Sequence, residues 1–123
     1  MPDYVSDSFE ISETDTPVTV TISIDGGTYE AATAWVCSDK SGSIANAGSD
    51  HVGEAKDAIS HDLIVTTRVV DMDPEREDFG YVCTVRAGDQ SRSYARAHRF
   101  SGSPDVGQSD SYVTVISFDR KLS

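Results

Sequence analysis

Cysteine is nearly absent. Cys37 and Cys83 are the only two in 123 residues, too few for a disulfide framework, and no pair of cysteines or histidines has zinc-ligand spacing. Metal chemistry through sulfur is therefore excluded. The wide separation of the two permits one bridge between distant strands, and reduced thiols are expected if the chain is made in a cytosol. Long apolar runs are missing too. No stretch approaches the roughly 18 residues of a membrane span, and the start Met1-Pro2-Asp3-Tyr4-Val5-Ser6-Asp7 lacks the basic and apolar regions of a secretory signal. A soluble chain released or assembled in the cytoplasm, with no membrane partner, is the expectation. Basic residues are scarce: ten Lys and Arg stand against 21 Asp and Glu, for a net charge of −11. A broad surface for nucleic acid is thereby excluded.

The acid is mostly aspartate, 15 Asp against 6 Glu, and the base mostly arginine, 7 Arg against 3 Lys. That balance resembles proteins that work in high salt; an ordinary acidic surface is the alternative, since net charge speaks to solubility and not to fold. With 37% hydrophobic residues, one domain with a modest core is expected.

Val18, Val20, Ile22 and Ile24 alternate with Thr19, Thr21, Ser23 and Asp25, the period of a half-buried strand. Asp25-Gly26-Gly27 supplies a turn, and Thr28 to Cys37 reads as a second strand with Tyr29, Ala31, Thr33, Trp35 and Cys37 on one face. Ser38 to Asp62 is mainly loop, with a short helical turn around Glu54 to Ile59. Loops that long are uncommon in compact domains, so a strand hidden near His51 and Val52 is favoured. Leu63 to Val70, Gly80 to Ala87, Ser91 to Phe100 and Tyr112 to Phe118 complete six clear strands, with Gly88-Asp89-Gln90 closing a hairpin. Residues 1–15 read as an N-terminal arm, 16–100 as the sandwich, and 101–123 as a linker and C-terminal strand.

Trp35 with Cys37, and Tyr81 with Cys83, lie two residues apart and so share a side of their strands. Together with Val20, Ile22, Val65 and Val85 they form the candidate core. Without helices of ordinary length or internal repeats, the expected fold is all-β, an antiparallel β-sandwich of about seven strands.

Asp78-Phe79-Gly80-Tyr81-Val82-Cys83 resembles the Asp-x-Gly-x-Tyr-x-Cys signature of the F strand in immunoglobulin-like domains, one residue shorter between glycine and tyrosine. From Gly27 to Phe100 the chain is similar to the short immunoglobulin-like fibre or tail adaptor proteins of tailed phages. The carriers are Ala32-Thr33-Ala34-Trp35-Val36-Cys37, Ile64-Val65-Thr66-Thr67-Arg68-Val69, Phe79 to Val85, and the Gly88-Asp89 turn leading into Arg92-Ser93-Tyr94-Ala95-Arg96. In that family the turn before the tyrosine strand is glycine-rich and weakly charged. Here it is Asp71-Met72-Asp73-Pro74-Glu75-Arg76-Glu77-Asp78, as an acid-enriched relative from a halophilic host would show. The resemblance implies an immunoglobulin-like fold and a non-enzymatic virion structural role in tail, neck or capsid decoration, with other virion proteins or multiple copies of itself as partners.

Candidate sites are few. The acidic run Asp71 to Asp78 offers clustered oxygens of the kind calcium binds, but its spacing matches no helix-loop-helix calcium loop, so it reads as a solvated turn and no metal is assigned. His51, His61 and His98 have no nucleophile elbow, phosphate loop or carboxylate pair around them, so no catalytic residue and no cofactor are assigned. Trp35 and Tyr81 could face a glycan, but their phase with cysteine favours the core. Arg86, Arg92, Arg96 and Arg99 place four of seven arginines within fourteen residues. They suit docking on an acidic neighbour, or pairing within the chain. Tyr112, Ile116 and Phe118 on one face of the last strand, and Val113 and Val115 on the other, make both faces apolar. That strand either adds to another subunit or completes its own sandwich. Arg92, Arg96, Arg99, Tyr112, Val113, Val115 and Phe118 are thus the candidate interface. A glycan- or receptor-binding adhesion module is the alternative function.

Overall fold

The computed structural model describes residues 3–25, 29–71, 78–99 and 109–121. Among them are nine strands: β1 (Asp3–Ile11), β2 (Pro17–Asp25), β3 (Tyr29–Cys37), β4 (Lys40–Ala45), β5 (Gly48–Glu54), β6 (Asp62–Asp71), β7 (Asp78–Ala87), β8 (Gln90–Arg99) and β9 (Ser109–Arg120), with one helical turn, α1 (Ala55–Ala58), between β5 and β6. The strands form an all-β sandwich of two sheets, ordered β1-β9-β6-β3-β4 and β5-β2-β7-β8. Every pairing is antiparallel except β1 with β9.

Period-two patterning produces this arrangement directly. Val18, Val20 and Ile22 of β2, Tyr81, Cys83 and Val85 of β7, Leu63, Val65 and Val69 of β6, and Trp35 and Cys37 of β3 all point into one buried layer. All eight candidate core residues lie there. One polar chain crosses the layer: the Tyr81 hydroxyl, reaching from the four-stranded sheet, lies 2.8 Å from Thr67 Oγ1, itself 2.8 Å from Thr33 Oγ1. Buried hydroxyls that satisfy one another cost little and hold the two sheets in one relative position.

Three expectations are corrected. The strands among the described residues number nine: β5 is the strand expected near His51 and Val52, and the two beyond expectation are β4, in the segment read mainly as loop, and β1. β4 buries only Ile44, so its sequence carries too little apolar periodicity to announce a strand. The N-terminal arm is strand β1, paired along β9 and burying Phe9 and Ile11. The segment read as linker and C-terminal strand contains β9, which lies between β1 and β6 in its own sheet and so completes its own sandwich; the sandwich therefore runs from β1 to β9 and is not bounded at 16–100. β2 and β3 lie in opposite sheets; residues 26–28 between them lie outside the described residues, as do 100–108.

The chain or its side chains span the two sheets at both sides of the sandwich. On one, Asn46 (φ 58°) continues the β3–β4 pairing, its N–H donating to the Ala31 carbonyl (2.7 Å) and its Oδ1 accepting from the Ala31 N–H (3.0 Å), before the chain crosses to β5. Asparagine tolerates this left-handed conformation better than most residues. On the other, Tyr94 of β8 donates to Asp7 of β1 (2.9 Å), and the Arg92 guanidinium lies 5.4 Å from the Phe9 ring centroid. A bulge in β5 opposite Val18 and Thr19 bends the chain into α1, whose Ala55 and Ala58 are buried.

Candidate interaction face

Among the described residues the exposed large hydrophobic side chains are Tyr4 (62% exposed), Val36 (47%) and Ile64 (42%). They lie on different strands, yet all share the outer face of the five-stranded sheet. The register shows why. Across β4, β3, β6, β9 and β1, one row is Ser41, Val36, Ile64, Val115 and Ser6, and the next is Ser43, Ala34, Thr66, Val113 and Tyr4. None of these ten residues is charged, in a chain of 25% charged residues. At about 4.8 Å between strands and about 6.8 Å between rows, they cover roughly 330 Å². Charge returns beyond these two rows, with Asp62, which accepts from Ser117 Oγ at 2.8 Å, and Arg68 on the central strand β6, and farther out with Glu30 of β3, Glu10 of β1 and Asp119 of β9.

The opposite outer face has a different chemistry. A row across β5, β2, β7 and β8 reads Ser49, Thr21, Thr84 and Ser93. Its hydroxyls bond to each other, Thr21 to Ser49 at 2.8 Å and Thr84 to Ser93 at 3.0 Å, and Arg86 and His51 stand exposed in the adjoining row. That face suits water. The uncharged rows mix aliphatic, aromatic and hydroxyl side chains, and their roughly 330 Å² falls within the about 300–600 Å² of the largest patch on a typical monomer, which is often functional.

The candidate interface residues divide between three places. Tyr112 and Phe118 are buried in their own core, Tyr112 stacked on Tyr81 (4.8 Å between centroids, 13° between planes) and Phe118 packed 6.0 Å from Phe9; their assignment to a subunit interface is corrected, because β9 is an interior strand whose inward face completes the core. Val113 and Val115 lie half-buried on the uncharged outer face. The two apolar faces of β9 thus serve one core and one surface. Arg92 is exposed at the β8 edge. Arg96 and Arg99 have their backbones opposite Tyr81 and Asp78, and their side chains lie outside the described residues. The run Asp71 to Asp78, except for the backbones of its two end residues, also lies outside them.

Sequence reasoning missed Tyr4, Val36 and Ile64. A signal existed: Trp35-Val36-Cys37 and Leu63-Ile64-Val65 break the alternation by placing an apolar residue where an outward position ordinarily holds a polar one.

The remaining chemistry is quiet. Among the described residues no group of three or more His, Cys, Asp and Glu could hold a metal ion. Both cysteines are buried and free. Burial pushes the Cys83 thiol up to about 11 against a hydrogen bond from Tyr81, and burial, then Asp62, pushes Cys37 up against Lys40. Both thiols are therefore protonated near neutral pH and poor nucleophiles.

The class these features define is an all-β sandwich with one uncharged sheet face. Its topology departs from immunoglobulin domains: there the Tyr-x-Cys strand lies between the C and G strands, whereas β7 lies between β2 and β8, and β6 occupies the place between β3 and β9. No family model, no curated protein and no solved structure matches this chain.

Proposed function

We propose that this protein is a non-enzymatic structural or adaptor module of a tailed virus, working through protein contacts in the tail, neck or capsid, and so resident in the virion after synthesis in the host cytoplasm. The observation that carries the contact role is the uncharged outer face centred on Ile64 and Thr66. A patch of that kind on an acidic molecule favours protein surfaces over nucleic acid or anionic lipid. The virion assignment draws on the likeness to phage fibre and tail adaptor proteins carried by Ala32 to Cys37, Ile64 to Val69 and Phe79 to Val85. Stoichiometric co-purification of the chain with assembled particles is the test; a chain that stays wholly in the soluble fraction while particles assemble contradicts the reading.

One observation favours a second reading, an adhesion module for a glycan or receptor. Tyr4 presents an aromatic side chain 62% exposed at the edge of the same face, and aromatic faces stack on sugars. Binding of the isolated monomer to glycans, lost in Tyr4→Ala, would support it.

A further inference from the structure

We propose that the uncharged face binds a second copy of this chain, face to face, about a two-fold axis that lies between the facing five-stranded sheets of the two copies and crosses β6 at the level of Val65. The proposal rests on the contact-module reading and names its partner. Self-association needs a face that complements itself: under a two-fold axis each residue meets the residue equally far on the other side. An axis running across the strands at Val65 exchanges the two rows. Ile64 then sits over the partner's Thr66, Val36 over its Ala34, and Tyr4 over its Ser6, pairs joined by the observed register. In each pair the larger side chain meets a smaller one. The same operation brings Asp62 of each copy to Arg68 of the other, opposite charges at the two ends of the central strand. An axis running along β6 would instead set Asp62 on Asp62 and Arg68 on Arg68.

Charge selects the occupant as well. Each copy carries −11, so most surfaces bring carboxylates together, and this face lets two copies meet without doing so. A basic partner would seek the acidic surfaces instead. The patch of roughly 330 Å² is well below the about 800 Å² per partner of a standard stable interface, so the contact is reversible in isolation and gains strength where an assembly holds copies close. Because the long-range force between copies is repulsive, salt strengthens the contact, the reverse of an interface held by ion pairs.

Sedimentation equilibrium of the full chain tests this, at about 20 to 500 µM in about 0.1 M and 1 M sodium chloride. A monomer–dimer equilibrium is expected, shifting toward dimer in high salt. Ile64→Lys is expected to weaken dimerisation about tenfold or more, and Thr84→Lys on the opposite face to leave it unchanged, with far-UV circular dichroism reporting the fold of each. Asp62→Arg and Arg68→Asp are each expected to weaken it several-fold, and the double variant to restore it to within about twofold. A chain monomeric at every concentration and salt overturns the proposal, as does equal weakening by Ile64→Lys and Thr84→Lys or a charge-swapped double variant no better than the singles. A strictly monomeric chain that still joins particles overturns self-association alone. A dimer absent from particles overturns the virion reading alone.

Discussion

Cys83 is fully enclosed between the sheets, and its thiol is pushed up to about 11 because a thiolate would lose its hydration there. The unfolded chain, with a value near 9.0, gives up its proton first as pH rises. Stability from this group is therefore complete below about pH 9 and is lost progressively between about pH 9 and 11, a loss on the order of 2–3 kcal/mol. Cys37, shifted in the same direction, adds to the slope. Denaturant unfolding from pH 7 to 11 is expected to show the decline, reduced in Cys83→Ala; a profile identical in the two proteins contradicts the assignment. Native thiol labelling at neutral pH is expected to be slow at both positions. Trp35 makes a second local test. Its indole N–H donates to Asp50 Oδ2 at 2.7 Å, and Gly42 lies against that pair so closely that a Cβ would fall 2.6 Å from Trp35 Nε1 and closer still to Asp50 Oδ2. Gly42→Ala is expected to destabilise by about 1–3 kcal/mol, measured as a drop in thermal midpoint with an altered tryptophan emission.

Among the elements, β9 carries the most. It pairs with β1 on one side and β6 on the other, and it buries Tyr112, Thr114, Ile116 and Phe118. A chain ending at Gly102 loses both pairings and that part of the core, and is expected to be unfolded by circular dichroism; a folded, monomeric truncation would contradict the central place of this strand. The sequence shows β2, β3, β6, β7 and β9 plainly, because in each the inward side is mostly apolar at every second position, and it shows β8 through the Gly88-Asp89-Gln90 turn that returns the chain along β7. It conceals β4, where Ser41, Gly42 and Ser43 offer no such signal and the strand is held by its pairing to β3. It also conceals β1, whose Phe9 and Ile11 enter the core only because β9 is there to receive them. The interaction face was half legible: Val113 and Val115 stand out as apolar residues on an outward face, but that Tyr4, Val36 and Ile64 join them depends on register between strands distant in sequence.

On the scale of the whole molecule, 21 acidic residues against ten basic ones leave a self-repulsion that must be screened. The Debye length falls from about 10 Å at 0.1 M salt to about 3 Å at 1 M, so the thermal midpoint is expected to rise across that range; a flat or falling midpoint contradicts an acidic surface suited to high salt. Charge is spread over the molecule but withheld from the two central rows on the outer face of the five-stranded sheet, and that contrast is the basis for reading the protein as a contact module. Backbone amide shifts recorded as the chain is concentrated from about 20 to 500 µM in about 1 M salt test it most directly. The account expects shifts gathered at Tyr4, Ala34, Val36, Ile64, Thr66, Val113 and Val115, with the Thr21 and Thr84 face unmoved; shifts gathered on that hydroxyl face, or none anywhere, would contradict it.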